Sequence, residues 1–507
     1  MGRPAQVLPD NSGATLPPNI APLNFCIQEE GEEFVTRFST HNGQEMVMSG
    51  QTLDIDVTQW HQLLAAAVGD TLWTDIYVRQ NGRWQHFHHI ANPIVGDSID
   101  PYITYRLIRP SYVAYEELYL AERCMENFDE HIFYDNMPLS KGDNGQCVNC
   151  HIPQRQGQTG CSQFHLRQNK GGTLFIQSED IRKVNLKTDS TMSAGVYAAW
   201  HPTLPLVVYS VNETGQVFHT LDLQKVEVID YASDLILYDI DKNEVLSITR
   251  TSHDYESFPC WSPDGRTLYY ISTHHAPVGT DIDIDLDQNY QSLHYNIYAR
   301  TFDAQARKFG PAQMVFDAGR LGKSASTPRV SPDGRWLLFS VADYGQFHIW
   351  HRSADLCAIS LEKLEELDKL YGLDRLDNLE SLNSPESESY HSWSSNGRWI
   401  LFSSRRTDGN YTRLYLSYFD RSGHAHRPVL LPQRSPQHYQ QLFRSYNAAE
   451  WMTQPLRPSR ARLLDAARRN AQPAHYGGSA LQKPETDSIS TPQRITKQNY
   501  HNIYESN

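Results

Sequence analysis

The chain has 507 residues and carries 45 Lys and Arg against 59 Asp and Glu, a formal charge of −14. That balance argues against a nucleic-acid partner, whose binders present a basic face, and no run of 18 apolar residues offers a membrane span. The length predicts roughly two to four domains, and 28 Tyr, 10 Trp and 27 Pro lean towards strands and turns.

Residues 1–20, rich in Pro, Asn, Gly and Thr, read as a tether. Met1-Gly2-Arg3-Pro4 has no apolar stretch and is not a signal peptide. Residues 21–110 read as a β-rich, sandwich-like module. Phe34–Phe38 and Leu53–Val57 alternate as half-buried strands do. Thr58 to Val68 predicts a helix with Thr58 as its cap and Gly69 as its stop. Leu72–Arg79 and Trp84–Ile90 predict a hairpin across Asn81-Gly82, a pair that suits a tight primed turn. His86, His88 and His89 have no carboxylate or cysteine at ligand spacing, and His88 and His89 point to opposite faces. They read as a solvated face rather than a metal site.

Residues 111–170 predict a short helical segment. From Tyr115 to Phe128 apolar side chains recur at three- and four-residue spacing, and a Gly/Asn/Lys loop follows at Lys141–Gly145. Next comes Cys147-Val148-Asn149-Cys150-His151, the attachment signature of c-type haem. The chemistry asks for that order. Two thiols add across the porphyrin vinyl groups, and the histidine after the second lies under the iron as proximal ligand. A bare C-x-x-C would fit a redox pair or half a zinc site. The adjoining histidine, with no second C-x-x-C, narrows it to haem. Cys26, Cys124, Cys161, Cys260 and Cys357 are left over, an odd number that cannot form only internal disulfides.

Residues 171–455 carry an internal repeat. Ala199-Trp-His-Pro202, Trp261-Ser-Pro-Asp-Gly-Arg266, Ser331-Pro-Asp-Gly-Arg335 and Trp393-Ser-Ser-Asn-Gly-Arg398 each lead into an apolar strand. Strand–turn–strand units that recur, none able to bury both faces alone, predict propeller blades. Leu361–Leu379 reads as a helical insertion, with Leu361, Leu364, Leu367 and Leu370 on one face. In another insertion, alternation puts Asp281, Asp283, Asp285 and Asp287 on one side, a candidate calcium site that competes with a solvated acidic edge. Residues 456–507 read as a basic helix, Ser459–Arg469, followed by a polar arm that docks elsewhere. The expected fold class is mainly β: the module, the helical haem segment, then a propeller, six-bladed, with helical insertions and tail.

The repeats resemble TolB-like propellers. The whole chain is similar to a family of exported TolB-like propeller proteins with an N-terminal β module and a single C-x-N-C-H, often labelled cytochrome c biosynthesis proteins. Pro18–Phe25, Asp100–Ile108, Asn127–Glu130, Cys147–His151, Phe164–Arg167, Gly171–Thr173, Ser389–Trp399 and Ser445–Asn447 carry the likeness. It implies six blades, export and a covalent haem, with no defined reaction. Carried over by position, Cys147 and Cys150 hold the haem and His151 ligates iron. The family's methionine before the Phe-His pair is Ser162 here, which leaves His165 as the first candidate for the distal ligand. Met125, Met137, Met192 and an open site are the alternatives. Arg167 either pairs with a haem propionate or, in an enzyme, stabilises charge beside His165.

The function expected is therefore an exported monohaem c-type cytochrome-like propeller, transferring electrons within or beside an envelope complex. The alternatives are a non-enzymatic interaction scaffold of an outer-membrane assembly, with the haem structural, and a haem peroxidase. Expected partners are other envelope proteins that meet the propeller face and the C-terminal arm. The expected location is the periplasm or the outer membrane and cell surface, with the leader removed and a lipid anchor compatible with the mature start. No catalytic motif of the G-x-S-x-G, H-E-x-x-H or phosphate-loop type occurs. His391, Arg405, Arg406 and Asp408 read as structural residues of blade turns.

Overall fold

The computed structural model describes residues 1–109, 117–139, 146–168, 170–219, 224–276, 282–362 and 377–482. The chain is mainly β. Its N-terminal sheet runs in the order Glu45–Ser49, Glu33–Ser39, Thr71–Gln80, Arg83–His86, and Ile90–Pro93 pairs with the first half of Thr71–Gln80. The hairpin turns at Asn81 (φ 51°) and Gly82 (φ 72°). The helix, Val57–Ala66, is capped two residues before the expected position. Asp56 rather than Thr58 accepts from the Gln59 amide at 2.9 Å.

Six antiparallel units follow. In the first, Glu130–Asp135, Tyr119–Cys124 and Tyr102–Ile108 lie in order, and Ser445–Met452 completes the sheet from the far end of the chain. The second holds Gln146–Pro153, Cys161–Gln168, Gly172–Gln177 and Asp180–Asn185; the third Val196–Trp200, Leu206–Phe218, Val226–Asp239 and Glu244–Ser247. The fourth is built from Asp254–Trp261, Thr267–His274, Asn296–Asp303 and Gln313–Phe316, and a single parallel bridge, Ser233 to Tyr255, joins it to the third. The fifth begins Ser324–Val330 and Trp336–Ala342; the sixth Glu388–Trp393 and Trp399–Ser404. First strands of successive units pack against one another, and Ser445–Met452 packs against both Glu388–Trp393 and Gln146–Pro153. No single hydrogen-bonded sheet closes on itself among the described residues.

The repeated turns explain the repeated sequence. Asp264, Asp333 and Asn396 each accept from a serine hydroxyl two residues back, at 2.6, 2.6 and 2.7 Å. Gly265, Gly334 and Gly397 take the positive φ that closes the turn. Arg398 then reaches Asp333 of the preceding unit at 2.8 Å.

Several expectations are corrected. Tyr119–Cys124 is a strand, not part of a helix, and the Glu130–Asp135 and Gln146–Pro153 segments are strands as well. Its charged residues are satisfied by chain more than 300 positions away: Arg123 donates to Gln433 Oε1 at 2.7 Å, and Glu122 Oε2 accepts from the Leu456 amide at 2.6 Å. Residues 102–108, placed in the N-terminal module, belong to the first unit. The acidic run at Ile282–Asn289 is helical, so the alternation behind a calcium site at Asp281, Asp283 and Asp285 does not exist there. Asp285 is buried against His275 at 2.6 Å, while Asp281 and the Asp283 side chain lie outside the described residues. So does most of the helix expected at Leu361–Leu379.

The tail docks. Helix Arg460–Arg468 buries Leu463, Ala466 and Ala467, and Lys183 Nζ donates to the carbonyls of Ala467 and Arg469 at its end, at 2.7 and 3.0 Å. Gln472–Pro473 and His475–Ser479 then add parallel strands to the outer edges of the second and third units.

One apolar core joins the N-terminal sheet to the sixth and first units: Phe38, Trp60 and Ile76 share it with Trp399, Leu416 and Trp451. Trp399 is fully buried and donates to the Asp97 carbonyl at 2.9 Å. Trp399→Ala is expected to cost about 3–5 kcal/mol. Hydrogen exchange should show protection falling together in residues 25–94 and 399–431, not in the sixth unit alone.

Candidate functional site

The segment expected to bind haem is the first strand of the second unit. In the third to sixth units, and in Ser445–Met452, that strand is broken by the same bulge. Tyr197, Phe258, Thr327, Tyr390 and Ala448 sit there at φ of 45–49°, and the pairing register shifts around each. Gln146–Pro153 carries its own shift, between Val148 and Cys150. The C-x-x-C-H run thus spans the place in its strand where Val196–Trp200 carries its bulge in the next unit.

Register decides what this strand can hold. Cys147 pairs with Arg167, Val148 with Leu166, Cys150 with His165 and His151 with Phe164. Paired residues share a face, and successive residues alternate. The His151 ring stacks on Phe164 at 6.3 Å and meets Phe133 edge-on at 6.4 Å. Phe133, Phe164, Val148 and Leu166 form the core shared with the first unit and the tail helix. His165 lies on the reverse face, with Nδ1 3.5 Å from Thr173 Oγ1. On that side Gln163 Oε1 accepts from Tyr209 of the third unit at 3.4 Å. The sheet itself separates the two imidazoles.

Both rings are buried and neutral. Burial, with the Arg106 charge second, holds His151 down at about 4; burial, with Arg167 second, holds His165 at about 3. Among the described residues neither nitrogen of His151 makes a hydrogen bond, although the Thr104 backbone lies near enough to favour the proton slightly.

The described residues do not by themselves assemble a haem site. The register sets Cys147 and His151 on opposite faces of the strand and His165 across the sheet from His151, while the Cys150 side chain lies outside the described residues. Met125 is buried in the core of the N-terminal sheet, Met137 is 54% exposed and Met192 packs near Trp200, so none joins the cluster around His151. The same register keeps His165 and Arg167 from serving as a peroxidase pair over an iron held by His151.

The residues read as structural tie the backbone. His391 Nε2 lies 3.3 Å from the Leu338 carbonyl, Arg405 Nε donates to Ile349 O at 2.8 Å, Arg406 reaches Glu388 at 3.1 Å, and Asp408 accepts from the Asn410 amide at 2.8 Å.

A second polar cluster escapes sequence reading. The hairpin Leu206–Phe218 with Val226–Asp239 is the longest strand pair described, and its far end packs against the fifth and sixth units. Glu227, buried, accepts from Tyr344 at 2.8 Å and meets His351 Nε2 at 3.2 Å; Gln224 donates to the Tyr344 hydroxyl at 2.8 Å. Phe218 and Val228 pack there with Ile349, Trp350 and Tyr390. The signal available was strand length alone.

No family model matches the chain, and no curated relative does. Among solved structures it is similar to a prolyl endopeptidase, at TM-score 0.33 and 13% identity over 65% of this chain and 42% of that one. An ACO/RPE65 chimera follows at 0.31 and 10%, over 85% and 97%, and an oligogalacturonate lyase in complex with manganese at 0.29 and 11%, over 69% and 86%. The chain thus spans about two-fifths of the prolyl endopeptidase it matches, and likeness this distant carries no activity over. The resemblance to the exported, haem-bearing TolB-like family is corrected accordingly. No family model supports it, the similar structures are of other kinds, and no group of three or more His, Cys, Asp or Glu fit to hold a metal occurs among the described residues.

His151→Phe is expected to leave stability at neutral pH within about 1 kcal/mol, since a neutral ring among phenylalanines gives way to another. Between pH 6.5 and about 4 the unfolded chain takes up a proton here that the folded chain refuses. Stability therefore falls with pH in that window. The variant should lose that part of the slope, as urea unfolding at several pH values would show.

Proposed function

We propose that this protein is a non-enzymatic binding scaffold: a propeller whose blades are the six antiparallel units, built to present surfaces to partner proteins. The observation that carries this is the first strand of the second unit. It takes its place among the other first strands with Cys147 and His151 on opposite faces, and His151 packs against Phe133 and Phe164.

Three further features favour a scaffold. Ser445–Met452, from the far end of the chain, is the innermost strand of the first unit, a pairing that locks a propeller's two ends together. Arg329 of the fifth unit reaches past the sixth to Glu450 of the first, at 3.3 Å. The long hairpin is fastened at its far end by Glu227 to Tyr344 and His351 of the fifth unit. Electron transfer and peroxidase chemistry both need the haem.

The test is production in cells equipped for cytochrome c maturation, followed by denaturation and a pyridine haemochrome assay. The expected result is apoprotein of unchanged mass that unfolds cooperatively. Covalent haem in near-stoichiometric amount, lost in Cys147→Ser, would return the electron-transfer reading.

A further inference from the structure

The outer face of the N-terminal sheet points to a ligand that the scaffold reading does not involve. Its inner face, with Phe38, Leu72, Ile76 and Val78, is core. On the outer face the register groups Val35 with Tyr77, Arg37 with Asp75, Tyr77 with His86, and Arg79 with Trp84. Trp73, two places from Asp75 on the same strand, shares that face. Trp84 is 49% exposed, and the Tyr77 and His86 rings stack at 4.4 Å and 12°. At a rise of about 3.3 Å per residue, Trp73 and the position of Trp84 stand roughly 20 Å apart across one flat surface.

The polar groups between the rings are paired among themselves. Asp75 accepts from Arg37 at 2.9 Å and lies 2.9 Å from His86 Nε2. Arg79 meets Glu33 at 2.5 Å, and Arg37 also approaches Glu45 at 3.9 Å. Two arginines against three carboxylates leave the face almost neutral, with nothing to select a strongly charged polymer. The ion pairs lie between the rings, and the aliphatic groups of the face, Val35 and the 57% exposed Val47, stand on the adjoining strands. One exposed ring, Trp84, and two half-buried ones, Tyr77 beneath His86 and Trp73 edge-on to His89 at 4.5 Å, are separated by oriented donors and acceptors. That alternation matches a molecule with apolar C–H faces and hydroxyl edges.

We infer that this face binds a neutral polysaccharide, with sugar rings on Tyr77, Trp84 and Trp73 and hydroxyls bonded to Arg37, Asp75 and His86. The experiment is affinity electrophoresis of the full chain in native gels containing soluble β-glucan, galactomannan, arabinoxylan or dextran, with alginate as the acidic control. At least one neutral polymer should retard the protein. Trp84→Ala and Tyr77→Ala should weaken that retardation about tenfold or more. Glu45→Gln should leave it unchanged, and the thermal midpoint of Trp84→Ala should match the parent. Retardation by none of the neutral polymers, by alginate alone, or undiminished in both aromatic variants would overturn the inference. So would self-association that depends on Trp84.

Discussion

The ladder between Tyr102–Ile108 and Ser445–Met452 is the constraint on which the rest of the structure depends. It makes one sheet from segments more than 300 residues apart, so everything between them must return to the same place. Charged residues on neighbouring strands are satisfied only once that return has happened. Arg123 donates to Gln433 and to the Pro432 carbonyl, and Glu122, pushed up to about 7 by burial, accepts from the Leu456 amide. Left open, the first unit would hold a buried cation and a buried acid without these partners, which costs several kcal/mol per group.

The same closure fixes the environment of His151. Its ring is enclosed by Phe133 from the first unit and Phe164 from its own, with Leu463, Ala466 and Ala467 of the tail helix in the same cluster. Dispersion and burial can hold a neutral imidazole there without help, because the proton it refuses is the only charge it could carry. A five-residue signature specific as a string is thereby reassigned by the strand it falls in. What C-x-x-C-H needs from the backbone is that both thiols and the imidazole approach one ring, and here strand alternation sets Cys147 and His151 on opposite faces.

The fold was legible where the physics is local. Asn81-Gly82 and the Ser-Pro-Asp-Gly turns carry their conformations in their own side chains, and the hairpin and repeats appear where the sequence puts them. The four repeats were read from those turns. The first two units lack the signature, so their strands were read instead as module, helix and haem segment. Tyr119–Cys124 is the clearest case: buried on both faces, with Arg123 and Glu122 inside, it shows no period of two. Its partners come from the other end of the chain, which no local window contains. The faces taken by the candidate site residues were hidden for a related reason, since face assignment depends on a one-residue register shift between Val148 and Cys150. The Glu227 cluster was hidden likewise, because Tyr344 and His351 lie over 100 residues from it.

The central claim is that residues 146–153 form an interior strand of the cofactor-free protein. Hydrogen exchange of that protein, read by mass spectrometry on peptides spanning 146–168, tests it most directly. The account predicts that the amides of 146–153 exchange as slowly as those of 161–168, and only with global unfolding. Fast exchange in 146–153 alone, slowed only when haem is attached, would contradict it.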